Sequence, residues 1–148
     1  MSTGLMQGKR GLIMGLANDK SIAWGITQAV AGQGAELAFS YQGEALKKRV
    51  EPLAESLGQP HLYECDVASD ESIDVLFTAL KAEWGQLDFL VHAISFADKN
   101  ELRGRYVDTS RAGFALAMDI SVYSFTAVSQ RAAAMMGPGG SLLTLTYF

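Results

Sequence analysis

Five short apolar runs recur along the chain, and a helix-length segment separates each from the next. The runs are KRGLIMGL (9–16), AELAFSY (35–41), HLYECDV (61–67), LDFLVHAI (87–94) and SLLTLTYF (141–148). Strands joined through helices run parallel, because the crossover returns the chain to the same edge of the sheet. Such crossovers are right-handed, and runs apolar nearly throughout are expected to be covered on both faces. The pattern predicts an α/β fold with a doubly wound parallel (Rossmann) sheet. At 148 residues the chain is one domain's worth in this reading, long enough to bury a core.

The segments between the runs carry helix signals. From about Ser21, the residues Ile22, Ile26, Ala29 and Val30 share one face, and Gly32 to Gly34 close the helix. GEALKKRVEPLAESLG (43–58) reads as a polar surface helix that Pro52 bends. SDESIDVLFTALKAEWG starts on a Ser69 cap with acids in its first turn, and Ile73, Phe77, Leu80 and Trp84 fall in register. Phe114, Met118, Phe125, Val128 and Ala132 mark a long helix from about 109 to 136. A helix apolar nearly all round is buried on more than one side, either within its own domain or against a second copy.

Composition removes several function classes. The net charge is −4 and no basic stripe exceeds LKKRV, so a nucleic-acid partner is not expected. The lone Cys65 cannot form an intramolecular disulfide and fits a reducing cytoplasm; inside an apolar run it reads as a buried, inert thiol. His61, Cys65 and His92 lack metal-ligand spacing. MSTGLMQGKR has no apolar signal-peptide core, and no run approaches membrane-spanning length, so a membrane partner is not expected either.

A doubly wound sheet binds its ligands beyond the carboxyl ends of the strands, which directs attention to the residues just after each run. After the first comes GLANDKSIAWG (15–25), with no glycine between its ends. Gly15 can take a tight-turn backbone. Ser21 can cap the helix or bond a phosphate oxygen, and small Ala23 and Gly25 allow close helix–sheet packing. A phosphate cradle at the helix N-terminus and an ordinary βα turn both fit. After the second run, Gln42 stands where an acid often binds the adenosine ribose; a solvated turn residue is the alternative. No arginine is there to meet a 2′-phosphate, which favours NADH over NADPH. Asp66 can accept from an adenine amino group with Val67 N–H on a ring nitrogen, or can cap the next helix. His92 reads as a satisfied core histidine, and the small residues after it leave room for a nicotinamide ribose and a substrate.

GLANDKSIAWG, GAELAFSYQ, CDVASDESID, LDFLVHAISFA, DISVYSF and SLLTLTY together resemble bacterial enoyl-acyl-carrier-protein reductases, a divergent NADH-using branch of the short-chain dehydrogenase/reductases. The resemblance is collinear over the whole chain, and it implies that residues 1–148 are the N-terminal dinucleotide-binding part of a single Rossmann domain whose sheet is incomplete at its C-terminal side. It implies a serine–isoleucine cradle in place of a glycine one, with cofactor contacts at Gly15, Ser21, Ile22, Gln42, Asp66, Val67 and Ile94. It places Ala97 at the acyl pocket and makes Tyr147 the first of two active-site tyrosines. Ser95 departs from the pattern, which often has glycine there. The implied chemistry is NADH-dependent reduction of trans-2-enoyl thioesters carried on acyl-carrier protein, in fatty-acid biosynthesis, by a cytoplasmic homotetramer paired through the long helix. Another short-chain dehydrogenase/reductase and a non-catalytic nucleotide-binding fragment are the alternatives. The second tyrosine and its lysine, which the resemblance puts beyond Tyr147, are not among the 148 residues. Tyr41 and Lys48 have the Tyr-x6-Lys spacing but lie on the adenosine side. The chain by itself is therefore expected to be inactive, with a sticky last strand.

Overall fold

The computed structural model describes residues 4–147. Its elements follow in the order β1 (Arg10–Met14), α1 (Ile22–Gly32), β2 (Glu36–Tyr41), α2 (Gly43–Ser56), β3 (His61–Glu64), α3 (Asp70–Trp84), β4 (Phe89–His92), α4 (Arg111–Met118), α5 (Ser124–Met135) and β5 (Ser141–Thr144). A π turn over Asp119–Tyr123 joins α4 to α5. The strands form one parallel sheet in the order β3-β2-β1-β4-β5. The order reverses between β1 and β4, and this topological switch point opens a crevice at the carboxyl edge.

Alternate side chains of each strand enter opposite cores, as a period of two requires. Ile13, Leu37, Phe39 and Val91 pack with Ala23, Trp24, Val50 and Ala54 of α1 and α2. Leu12, Met14, Ala38 and Leu90 pack with Ile73, Phe77 and Leu80 of α3 and Val128 and Ala132 of α5. At the amino edge, Arg10 donates to the Glu36 carboxylate at 2.7 Å and to the Trp84 carbonyl at 3.0 Å, while its N–H meets Asp88 at 2.9 Å. Arg131 ties α5 to α3 through Asp74 at 2.8 Å and Asp70 at 3.1 Å.

Ser69 caps α3 as expected, accepting from the Ser72 N–H, and Ile73, Phe77, Leu80 and Trp84 are all buried. Other expectations need correction. Only β1, β2 and β4 are covered on both faces; β3 and β5 are the sheet's edges and stay largely accessible. α2 forms as expected with the exposed Pro52 inside it. The buried face of α1 is Ala23, Trp24 and Thr27, whereas Ile22 is exposed. The helix enters from the crevice with its first residue turned outward, which rotates the stripe by one position. Arg111–Met135 is a continuous helical stretch of 25 residues, long and apolar enough by length and composition to cross a bilayer. The absence of a membrane-length run therefore does not hold, although Ala127, Val128, Ala132 and Met135 sit in the α3-side core.

Gly25 does not pack against the sheet: it is helical and a Cβ there meets nothing within 4 Å. Gly25→Ala is accordingly expected to stabilise the fold by about 0.5–1 kcal/mol through helix propensity, read as a raised melting temperature. A lower one would show that the position has a packing neighbour.

Candidate functional site

The carboxyl ends of β1, β2, β3 and β4 surround a cleft of about 440 Å³. Gly15, Gln42, Val67 and Ile94 line it, together with Leu16, Cys65, Phe96 and Ile120. Four of the residues singled out in the sequence thus share one concavity. Gly15 turns the chain off β1 with φ of +98°, and a Cβ on it falls 2.1 Å from the Ala93 carbonyl oxygen at the end of β4. The backbone conformation and the close approach each demand glycine there.

Ser21 occupies the N-cap position of α1, yet its side chain caps nothing in the helix. Its hydroxyl donates to the Asn18 carbonyl, and the Asn18 side chain in turn accepts from the Lys20 N–H at 2.8 Å. The loop is folded on itself. Among the described residues, the Ile22 and Ala23 N–H groups at the head of α1 have no acceptor. Ser21 and Ile22 stand at that helix end and outside the cleft lining.

Asp66 does not cap α3, a role that Ser69 takes. Its Oδ1 accepts from the Ala68 N–H at 2.9 Å, and its own N–H donates to the Ser72 hydroxyl at 2.9 Å. The turn holds Asp66 and Val67 at the mouth of β3. Ala97 lies outside the cleft, in a second hollow of about 390 Å³ with Leu102, Tyr106, Phe114 and Met118. Tyr147 is 98% exposed beyond β5, the outer strand; the cleft is built from the other four strands and does not include it.

His92 is buried at the end of β4. Its Nε2 lies 2.7 Å from the Ser124 hydroxyl and its Nδ1 3.0 Å from the Thr144 hydroxyl. The Ser124 hydroxyl donates to the Ile120 carbonyl at 2.6 Å, so it accepts from His92. The Nε2–H tautomer is thereby fixed, and Nδ1 accepts from Thr144. Burial pulls the His92 pKa below its usual value. This is the satisfied core histidine the sequence suggested, not a base facing the cleft.

Burial likewise pushes the Cys65 thiol up to about 11, with the Ser72 hydroxyl opposing. A thiol reagent at pH 8 is expected to label Cys65 only on denaturation, because the thiolate is scarce and the sulfur enclosed. Stoichiometric labelling of the native protein within minutes, counted by mass, would contradict this.

Sequence reasoning did not find the π turn or its serines. Ser124 donates its N–H to the Asp119 carbonyl, five residues back, which leaves the Ile120 carbonyl for its hydroxyl. Ser121, one turn earlier, bonds the loop after β4: it accepts from the Phe96 N–H at 2.9 Å and donates to the Phe96 carbonyl at 3.1 Å. Local sequence offered no signal for them, since the same stretch also carries Asp119, Ser129 and Arg131.

A sequence model described as enoyl-(acyl carrier protein) reductase matches residues 15–148. The enoyl-[acyl-carrier-protein] reductase [NADH] 1 of Rhizobium meliloti is 61% identical over 99% of this chain and 54% of its own length. The enoyl-[acyl-carrier-protein] reductase [NADH] FabI of Rickettsia felis is 53% identical over 100% of this chain and 57% of its own. Among solved structures, an enoyl-(acyl-carrier-protein) reductase from Anaplasma phagocytophilum in complex with NAD superposes with a TM-score of 0.94 at 57% identity, covering 99% of this chain and 56% of that one. The chain spans about half the length of the curated relatives it matches.

Proposed function

The chain belongs to the enoyl-[acyl-carrier-protein] reductase family, and from that premise we propose that residues 1–148 are the N-terminal dinucleotide-binding part of an NADH-dependent reductase of trans-2-enoyl thioesters carried on acyl-carrier protein. One observation carries the reading: the loop after β1 presents unpaired N–H groups at the head of α1 while its serine hydroxyl is bonded back into the loop. A pyrophosphate is the anion that such a helix end beside a crevice accommodates. Gly15 supports the fit, since any Cβ there strikes β4.

In this reading the Ile22 N–H holds the pyrophosphate, and Ser21 joins it by turning its hydroxyl away from the Asn18 carbonyl. Gln42 meets the adenosine ribose as a neutral partner, which suits NADH. Asp66 accepts from the adenine amino group through the carboxylate oxygen that Ala68 does not use, with Val67 N–H beside it. Ile94 backs the nicotinamide side and Ala97 the acyl chain. Tyr147 is the first of two active-site tyrosines at the reacting end. NADH supplies the hydride; the β-carbon of the enoyl thioester receives it and the α-carbon takes a proton. A tyrosine hydroxyl is a good donor to the thioester oxygen as charge develops there.

The exposed apolar residues Phe114, Leu116, Met118, Val122 and Tyr123 along α4 and the π turn support pairing with a second copy, as in a cytoplasmic homotetramer. The test is an assay on the full-length protein with NADH and either crotonyl or a 3-ketoacyl thioester. Crotonyl reduction is expected; turnover of the keto substrate alone would assign another short-chain reductase, and turnover of neither would leave a binding module.

A further inference from the structure

The cleft's β4 wall is a stretch without regular structure. Ala93, Ile94, Ser95 and Phe96 line the cleft after β4 ends at His92. Past the Ala93 N–H bond to the Met14 carbonyl, the loop has no ladder bond among the described residues to hold its backbone. Two serine hydroxyls, Ser121 in the π turn and Ser124 at the head of α5, hold it instead, at its two ends. Ser124 accepts from the His92 ring at 2.7 Å, and Ser121 both accepts from the Phe96 N–H and donates to the Phe96 carbonyl. Ile120, between these serines and α4, lines the same cleft. The wall and the facing helix are therefore set relative to each other by side-chain bonds.

We propose that Ser121 is a positioning residue for the reaction, fixing the Ala93–Phe96 wall at the separation that a bound nicotinamide and enoyl thioester require. This rests on the reductase reading above. Phe96 is half exposed, so packing contributes little to holding it, and the reciprocal pair on one hydroxyl supplies what packing does not. The bonds are specific to this end of the cleft: Gln42 and Val67 lie across the sheet, just beyond the ends of β2 and β3, and bond neither serine. Ser121 should therefore govern productive orientation, leaving dinucleotide affinity to the other end. Ser129, further along the same helix, has an enclosed hydroxyl with no partner among the described residues and serves as the control position.

The experiment compares Ser121→Ala, Ser121→Thr and Ser129→Ala in the full-length protein. Ser121→Ala is expected to lower kcat/KM for crotonyl thioester about tenfold or more, with NADH affinity by fluorescence titration changing less than about threefold. Ser121→Thr keeps the hydroxyl and should recover most of the loss, and Ser129→Ala should match wild type. Wild-type kcat/KM in Ser121→Ala, equal losses of turnover and NADH affinity, or a threonine variant no better than alanine would overturn the proposal. An inactive wild-type protein would overturn the reductase reading instead, and amide exchange then still decides for Ser121. The Phe96 N–H is expected to exchange about tenfold faster in Ser121→Ala; an unchanged rate refutes the positioning role.

Discussion

Gly15→Ala is expected to cost about 3 kcal/mol or more and to abolish measurable NADH binding. The added Cβ would stand 2.1 Å from the Ala93 carbonyl oxygen and 2.4 Å from its carbon. Those atoms are backbone at the end of β4, held by the Ala93 N–H bond to the Met14 carbonyl at 2.8 Å. They cannot swing aside as a side-chain tip would. Relief requires parting β1 from β4 where the sheet's order reverses, or abandoning a φ of +98° that an alanine already resists. Either movement shifts the loop that presents the head of α1. The melting temperature should drop by roughly 10 °C for a reductase-sized domain. Gly25→Ala makes the same chemical change ten residues on and is expected to shift stability the other way. A Gly15→Ala protein that melts and binds NADH like wild type would show that the crevice is not built against this glycine.

The parallel sheet was legible because its cue is periodic. Apolar runs such as RGLIM and ELAFSY alternate with helices of fixed phase, and the cores on the two faces follow from the period of two. The edges were less legible. HLYECDV reads as apolar as a central run, but at the edge of the sheet only His61–Glu64 pair and Cys65 is buried beyond the strand's end. Edge position is a tertiary fact that no local composition encodes. The phase of α1 failed for a similar reason: Ile22 satisfies the stripe, yet the turn from Gly15 delivers the helix with Ile22 outward and Ala23 inward. Within the cleft, Gly15, Gln42, Val67 and Ile94 could be named because they follow strands. Ser121 and Ser124 could not, because their contacts are with residues 25 and 32 positions away in sequence, and a π turn leaves no compositional mark.

His92→Leu is expected to destabilise the protein by about 2 kcal/mol at pH 8 and to flatten its acid limb. The substitution keeps an apolar volume in the core, so the loss reports chiefly the two ring bonds to Ser124 and Thr144. Ser124 still has the Ile120 carbonyl for its proton. Thr144 is only partly buried and finds water. The pH effect has a definite sign. Burial holds the folded-state pKa of His92 below its ordinary 6.5, so between those two values the unfolded chain binds the extra proton. Stability from the neutral ring is complete above pH 6.5 and declines as pH falls below it, at up to about 1.4 kcal/mol per pH unit. The leucine variant has no such proton to take up. Denaturant melts of wild type and variant from pH 8 to pH 5 should therefore show the gap between them narrowing with acid, carboxylate contributions cancelling in the difference. A gap that widens as pH falls would mean that the folded protein holds His92 charged, and the tautomer assigned from the Ser124–Ile120 bond would be wrong.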